Sequence, residues 1–448
     1  MKKRIRVGLL VCFALVIGVV GFVAWHFFGP VPQATGALPD SVYIWQYRWT
    51  EGVVGAVHSA DQDVTIQQLL VVSAEIMPGG GNPKIRPVLP DYALLATLQK
   101  PIALVIRIGA HGGPFNRENS MSQAVARAVR DSLGSAQKAG WTPAEIQLDF
   151  DCPTRCLSEY AQWITQAKEI AGTIPVSITA LPAWLDSVGF RKVINIADGY
   201  VLQVHSVSPA TKKGELPPLC DTVQTRRWMR QAARLGKPFR VALPTYTYRV
   251  GFDAKGRYVG VAAESVDSEP QGVVGWKMIS ADAAALATLV KEWQQSHPAM
   301  LTGVVWYRLP VPEDRLNWTT TAWNKVRRGE LPAIRVDAQF ETTDGLLQDL
   351  FLKNTGDLAT SQPSAVKITW EDASLVAADA IGGYKIVAKD GSSVTFQQIS
   401  STPQMLNPGE RSSFGWIRFK QAPKSLHWER DAVISAEPKG ASSGEKAP

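Results

Sequence analysis

The feature that most constrains the fold is a long alternation. Apolar or alternating runs occur at 41–49, 68–76, 102–110, 146–151, 175–181, 199–207, 239–248 and 303–310, and most are separated by stretches of helical periodicity. Those helical stretches cover 91–99, 122–139, 157–171, 221–235 and 280–297, and Gly140, Gly172, Gly236 and Pro298 close the last four. Strand and helix alternating to eight strands predict an α/β fold, a (β/α)₈ TIM barrel whose site lies at the strand ends and the loops after them. Two stretches depart from the pattern. Residues 51–65 are rich in Gly and Val with no clear helix, and 250–277 separate the seventh strand from its helix and are expected to form a hairpin over the mouth.

Helices cover the outside of such a barrel, so in each strand the parity carrying polar groups is expected to face inward. That parity selects Ser73 with Glu75, Arg107 with His111, Gln147 with Asp149 and Asp151, Ser177 with Thr179, Gln203 with His205, and Trp306 with Arg308. The first strand aligns Tyr43, Trp45, Tyr47 and Trp49, while the seventh is ambiguous, with Tyr246 and Tyr248 opposite Thr245 and Thr247. A buried polar group without a partner costs about 1–3 kcal/mol, so this gathering at one rim implies a wet pocket.

The strand Ile146-Gln147-Leu148-Asp149-Phe150-Asp151 carries the chemistry: alternation sets its acids on one face and its large apolar groups on the other. Two residues of strand separate Asp149 from Asp151 by roughly 6–7 Å, near the carboxylate spacings of glycoside hydrolysis. These two and Glu75 are the candidate catalytic acids. Trp45, Tyr47, Tyr246 and Trp306 offer flat faces for a sugar, Arg107 and Arg308 suit an anionic group, and His111, Gln203 and His205 complete the expected lining. The competing reading is a structural network in which both aspartates pair with Arg107 and Arg308, leaving a binding or structural protein. His111 reads equally as a solvated loop residue, His205 as a hydrogen-bonded core residue, and the aromatic row as packing.

Met1–Arg6 holds four basic residues, and 8–28 contains no charged side chain apart from His26. That run is long enough to cross a bilayer, and its aromatic end lacks a small-x-small cleavage site, so an uncleaved N-terminal transmembrane helix is expected. The basic leader keeps to the cytoplasm, which sends the body to the periplasm or another extracytoplasmic space. The formal charge of +7 falls to +3 without Lys2, Lys3, Arg4 and Arg6, and no basic run follows, so nucleic acid is not an expected partner. Cys152, Cys156 and Cys220 leave disulfide pairing open. The Cys-Pro-Thr-Arg-Cys spacing has no second Cys or His pair beside it, so no metal is expected, and no motif calls for a cofactor: Gly79-Gly80-Gly81 lacks the Lys-Ser/Thr of a phosphate loop.

After Gly329-Glu330-Leu331-Pro332, helical periodicity gives way to short strands joined by Asn354-Thr355-Gly356 and Asp390-Gly391, which predicts a small all-β sandwich-like domain. The expected organisation is a membrane anchor or signal over 1–30, a linker over 31–40, the barrel over 41–330, the β domain over 331–434 and a disordered tail over 435–448. The β domain's default role is to brace the barrel, with binding of glycan or protein as the alternative.

Tyr43-Ile44-Trp45-Gln46-Tyr47, Ala74-Glu75, the acidic strand with Cys152-Pro153, and Val305-Trp306-Tyr307-Arg308-Leu309-Pro310 resemble an uncharacterised bacterial domain-of-unknown-function family, number 3142, with a glycoside-hydrolase-like barrel. The resemblance spans roughly 41–310 and implies no established activity. The fourth strand is also loosely similar to the Asp-x-Asp-x-Glu strand of chitinase-like glycoside hydrolases. Asp149 and Asp151 match its aspartates, Pro153 stands where its catalytic glutamate would be, and Trp306 is similar to its sugar-floor tryptophan. The expectation is a membrane-anchored, glycoside-hydrolase-like protein that binds or hydrolyses a polysaccharide, with a non-catalytic glycan-binding or envelope-assembly protein as the alternative.

Overall fold

The computed structural model describes residues 30–79, 82–207, 216–262, 272–400 and 404–431. It divides into two compact units, one ending at Leu331 and one beginning at Pro332. The expected membrane segment and the polar tail lie outside the described residues. Among the described residues, no helix is long and apolar enough to cross a membrane.

The first unit is a closed barrel of eight parallel strands, β1 (Asp40–Ile44), β2 (Ile66–Met77), β3 (Ile102–Ile108), β4 (Glu145–Phe150), β5 (Val176–Ala180), β6 (Gly199–Gln203), β7 (Phe239–Pro244) and β8 (Leu301–Tyr307). Each strand pairs with its neighbour in sequence, and β8 closes on β1 through Val304↔Asp40 and Trp306↔Val42. The helices that follow the strands are α1 (Glu51–Gln62), α2 (Tyr92–Leu95), α3 (Ser120–Lys138), α4 (Leu157–Ala171), α5 (Val188–Ile196), α6 (Thr222–Arg234), α7 (Ala283–Gln295) and α8 (Thr320–Arg327).

The expectation that 51–65 lacks a helix is corrected by α1. Thr50 caps it by accepting from the Val53 N–H, and Val53, Val57 and Ala60 recur at helical spacing to bury one face. Capping contributes about 1 kcal/mol and the apolar stripe the rest, which outweighs the propensity cost of Gly52 and Gly55, each about 1 kcal/mol against Ala. α5 also went unpredicted; Ser187 caps it, and Phe190, Val193 and Ile194 are its buried face.

The expected hairpin after β7 is a three-stranded antiparallel sheet, with Thr247–Phe252 between Tyr258–Ala262 and Gly275–Ser280. Inside the barrel, Tyr43, Leu70, Val72, Ala103, Val105, Val201, Ala242 and Val305 form an apolar plug. It separates a polar network at the N-terminal end from a cavity at the C-terminal rim.

The second unit packs two four-stranded antiparallel sheets over a core that includes Leu350, Leu352, Ile368, Phe396, Phe414, Ile417 and Phe419. One sheet orders Val336–Thr342, Leu347–Asn354, Arg411–Phe419 and Leu375–Ala380. The other orders Tyr384–Lys389, Ser393–Gln398, Ala365–Glu371 and Ser425–Arg430.

Candidate functional site

At the C-terminal rim the strand ends enclose a cavity of about 240 Å³. Drug-sized ligands occupy roughly 300–1,000 Å³, so this one suits a ring-sized group with the remainder of a ligand outside. Its acids come from β4. Asp149 is buried and fully engaged: Arg107 Nη1 donates to it at 3.0 Å from β3, and Thr179 Oγ1 donates at 2.8 Å from β5. Asp151, one residue past the end of β4, opens onto the cavity and makes no hydrogen bond or ion pair among the described residues. The surrounding walls raise its carboxyl pKa above the ordinary value, the Asp149 carboxylate pushes the same way, and Arg107 opposes both.

Arg107 is the pivot of the rim. Its Nε lies 3.6 Å from Glu75 Oε1, and its guanidinium stands 5.8 Å over the Trp45 ring. Burial disfavours its charge, but Asp149, Tyr307, Asp151 and Tyr47 together outweigh that and hold its pKa above the usual guanidinium value. Glu75 is 3.8 Å from Arg86 as well, and Arg86 covers Tyr47 at 4.8 Å, so Glu75 and Tyr47 stand beside the cavity and not in its lining.

The opposite wall is aromatic. Tyr43, Trp45 and Tyr307 meet edge to face at centroid distances of 5.7, 5.8 and 5.2 Å. The Tyr43 hydroxyl donates to Gln147 Oε1 at 2.6 Å. Tyr307 stacks on His205 at 5.4 Å, and the Tyr246 hydroxyl lies 3.4 Å from His205 Nδ1. Only 4% of His205 is exposed, and burial pulls its pKa down to about 3. It is therefore a neutral hydrogen-bonding ring at physiological pH, not a titrating base. Gln203 lines the cavity and donates to the His205 carbonyl at 3.3 Å. Arg308 also lines it, with Nε and Nη2 on Asp314 Oδ2 at 3.0 and 2.5 Å.

The rim thus gathers Trp45, Arg107, Asp149, Asp151, Gln203, His205, Tyr246 and Arg308, and Tyr246 resolves the ambiguity of the seventh strand. Three expectations are corrected. Trp306 is fully buried and donates to Asp40 Oδ1 at 2.8 Å; the inward parity of β8 is that of Val305 and Tyr307, with Arg308 brought to the cavity across a cis peptide bond. His111 stacks on Trp163 at 5.3 Å in the loop beyond β3, away from the cavity. Ser73 does not share the face of Glu75, because a register shift between Val72 and Ala74 turns it outward to Ser132 on α3.

Tyr307, Ser206 and Asp314 were missed; only the apolar Val305 two residues earlier could have indicated the parity of Tyr307. Cys152, Cys156 and Cys220 are buried free thiols, and among the described residues no group of three or more His, Cys, Asp or Glu is placed to hold a metal ion.

Residues 99–312 match the family described as a domain of unknown function, DUF3142, the family that the motifs of this part of the barrel resemble. Residues 337–420 match a second domain of unknown function, DUF8456. No curated protein matches the chain.

Among solved structures the chain is similar to the Bacillus cereus spore cortex-lytic enzyme SleL, at 14% identity and TM-score 0.45 over 66% of this chain and 75% of that one. It is similar to the chitinase ChiA74 from Bacillus thuringiensis at 10% identity and TM-score 0.42, covering 88% of this chain and 100% of that one. A chitinase from Chromobacterium violaceum gives 14% identity and TM-score 0.43 over 65% and 99% of the two chains.

Proposed function

We propose that the barrel is a carbohydrate site with glycoside-hydrolase-like acid/base chemistry centred on Asp151, held outside the cytoplasmic membrane by the N-terminal segment. The observation that carries this reading is the asymmetry of the rim acids. Asp149 and Glu75 are engaged by arginines, whereas Asp151 faces the cavity with no hydrogen bond or ion pair among the described residues and with a raised pKa. A protonated Asp151 passes its proton to the glycosidic oxygen as the bond from that oxygen to the anomeric carbon breaks. The resulting carboxylate then takes a proton from the water that adds to the anomeric carbon, which restores the acid. Asp149, fixed by Arg107 and Thr179, supplies negative charge beside the developing oxocarbenium ion and takes no part in proton transfer. Trp45 and Tyr307 offer ring faces for the sugar.

A second reading, non-catalytic glycan binding, is favoured by the same Arg107. It occupies both other acids and leaves one free carboxylate where a two-carboxylate mechanism uses two. Asp151→Asn separates the readings. Under the first, reducing ends released from a polysaccharide panel fall away while glycan-array binding persists; under the second, the parent protein binds and releases none. The anchor and the periplasmic position rest on the basic leader and the apolar 8–28 run. Fractionation with protease protection of the full chain tests them.

A further inference from the structure

We propose that the N-terminal end of the barrel is a docking surface for an anionic phospholipid leaflet, so that the cavity at the opposite rim points away from the membrane. The occupant rests on the anchor reading of the N-terminal segment, and not on the carbohydrate reading of the rim. Its first support is a strap. Just before β1 the chain pairs antiparallel with the turn between α7 and β8, through Gln33↔Pro298 and Ala34↔His297. The Ala299 N–H donates to the Pro32 carbonyl at 2.8 Å, the Gly36 N–H donates to the Gln294 carbonyl at 2.9 Å, and Ser296 Oγ donates to Gln33 Oε1 at 3.2 Å. That turn leads into the start of β8, so the strap is bound at the end of the barrel where all eight parallel strands begin.

The chain outside the strap is short. Residues 29–31 alone separate the end of the apolar 8–28 run from Pro32. Fully extended they reach at most about 14 Å, of which the headgroup layer takes up roughly 5–8 Å. An anchor in the bilayer therefore holds this end of the barrel, and not the rim, within about a Debye length of the headgroups.

The charge of the same end suits that neighbour. Its acids are occupied: Glu145 by Arg240, Asp198 by Lys168, Asp40 and Asp63 by Arg327, Glu330 by Arg328, and Asp61 by the N–H groups of Gln99 and Lys100. By contrast, the side chains of Lys100 before β3, Lys138 at the end of α3, Arg234 at the end of α6 and Lys237 before β7 have no ion pair among the described residues. Val64, 80% exposed in the turn between α1 and β2, adds an apolar group to the same end. Cations set apart around the end of a barrel form no pocket for a small anion; an extended anionic surface meets them together. Each basic side chain near such a leaflet strengthens attachment by about fivefold.

The test is amine acylation of the full chain, read lysine by lysine by mass spectrometry, in nanodiscs of phosphatidylcholine alone and of phosphatidylcholine with phosphatidylglycerol in equal parts. Lys100, Lys138 and Lys237 should react at least about fivefold more slowly in the anionic discs, while Lys255 and Lys277, on the antiparallel sheet that follows β7, react alike in both. About 1 M salt, which shortens the Debye length to about 3 Å, should abolish the difference. Lys100→Gln with Lys138→Gln should bring Lys237 to within about twofold of its rate in phosphatidylcholine discs. The salt dependence of the parent decides if that variant fails to fold. Equal reactivity of the three lysines in both discs, slowing of Lys255 and Lys277 to the same degree, or slowing that survives both salt and the double substitution would overturn the proposal. A chain that enters neither disc fails the anchor and this proposal with it; a chain that enters both with the three lysines equally reactive fails this proposal alone.

Discussion

The two ends of the barrel are built from the same residue types and put them to opposite uses. At the N-terminal end the buried acids among the described residues are matched. Glu145 accepts from Arg240 Nη2 at 2.6 Å, from Gln68 at 3.0 Å and from Ser177, while Asp40 takes Trp306 at 2.8 Å and Arg327 at 3.3 Å. At the C-terminal end Asp149 is matched in the same manner, but Asp151, two residues along the same chain, is not. Matched acids hold a closed barrel together; an acid unmatched among the described residues and open to a cavity is the one the proposed function assigns to a ligand. The difference teaches that partner count, more than residue type or fold position, distinguishes the carboxylates of the two ends, and the proposed function rests on that distinction.

The comparison can be broken most sharply by exchanging amides for acids at both ends. Asp151→Asn should lower glycoside turnover by about 10²–10⁴-fold with little change in unfolding midpoint, as expected for loss of a general acid. Glu145→Gln should do the reverse: stability should fall by about 3 kcal/mol because Arg240 keeps its buried charge without an anion, while the turnover of folded protein is retained. Chemical denaturation beside a reducing-end assay checks both.

A smaller effect separates the ends by pH. Burial raises the Asp40 pKa to about 6, with Trp306 and Arg327 pulling the other way. A carboxyl whose folded pKa is raised adds stability at low pH and loses that contribution as pH rises through the folded value. Lowering pH from 7 to 5 should strengthen the fold by about 1 kcal/mol through Asp40. Asp40→Asn should flatten that segment of the stability profile.

Smallest is a shift within the rim. Asp149 pushes the Asp151 pKa up, so Asp149→Asn should move the alkaline limb of the pH–rate profile to lower pH, whereas replacing Arg107 with Met should move it higher. No shift in either variant would detach Asp151 from its neighbours.

Much of this was legible in the chain, and the failures have physical reasons. The barrel was readable because eight buried strands and their capped helices impose periodicities that few other folds tolerate. The Asp149–Asp151 pair was readable because β4 alternates without interruption. Parity failed where the strand is irregular: the register shift at Val72/Ala74 turned Ser73 outward, and in β8 a buried Trp306 bonded to Asp40 looked like a rim residue. His111 failed because β3 ends at Ile108, so its alternation could not be extended into the loop. α1 failed because Gly52 and Gly55 mask a helix that capping and tertiary burial sustain. Which acid keeps a carboxylate unengaged among the described residues was beyond the sequence, since Arg107 and Thr179, which engage Asp149, and Asp314, which engages Arg308, come from separate strands and loops.

The most direct measurement is a carboxyl ¹³C titration of aspartate-labelled protein, with the Asp151 signal assigned by its loss in Asp151→Asn, carried out with and without a bound oligosaccharide from the panel. The account predicts that Asp151 titrates above the free aspartate value and that its midpoint moves on binding. An Asp151 midpoint at the ordinary value, unmoved by any oligosaccharide, would contradict it.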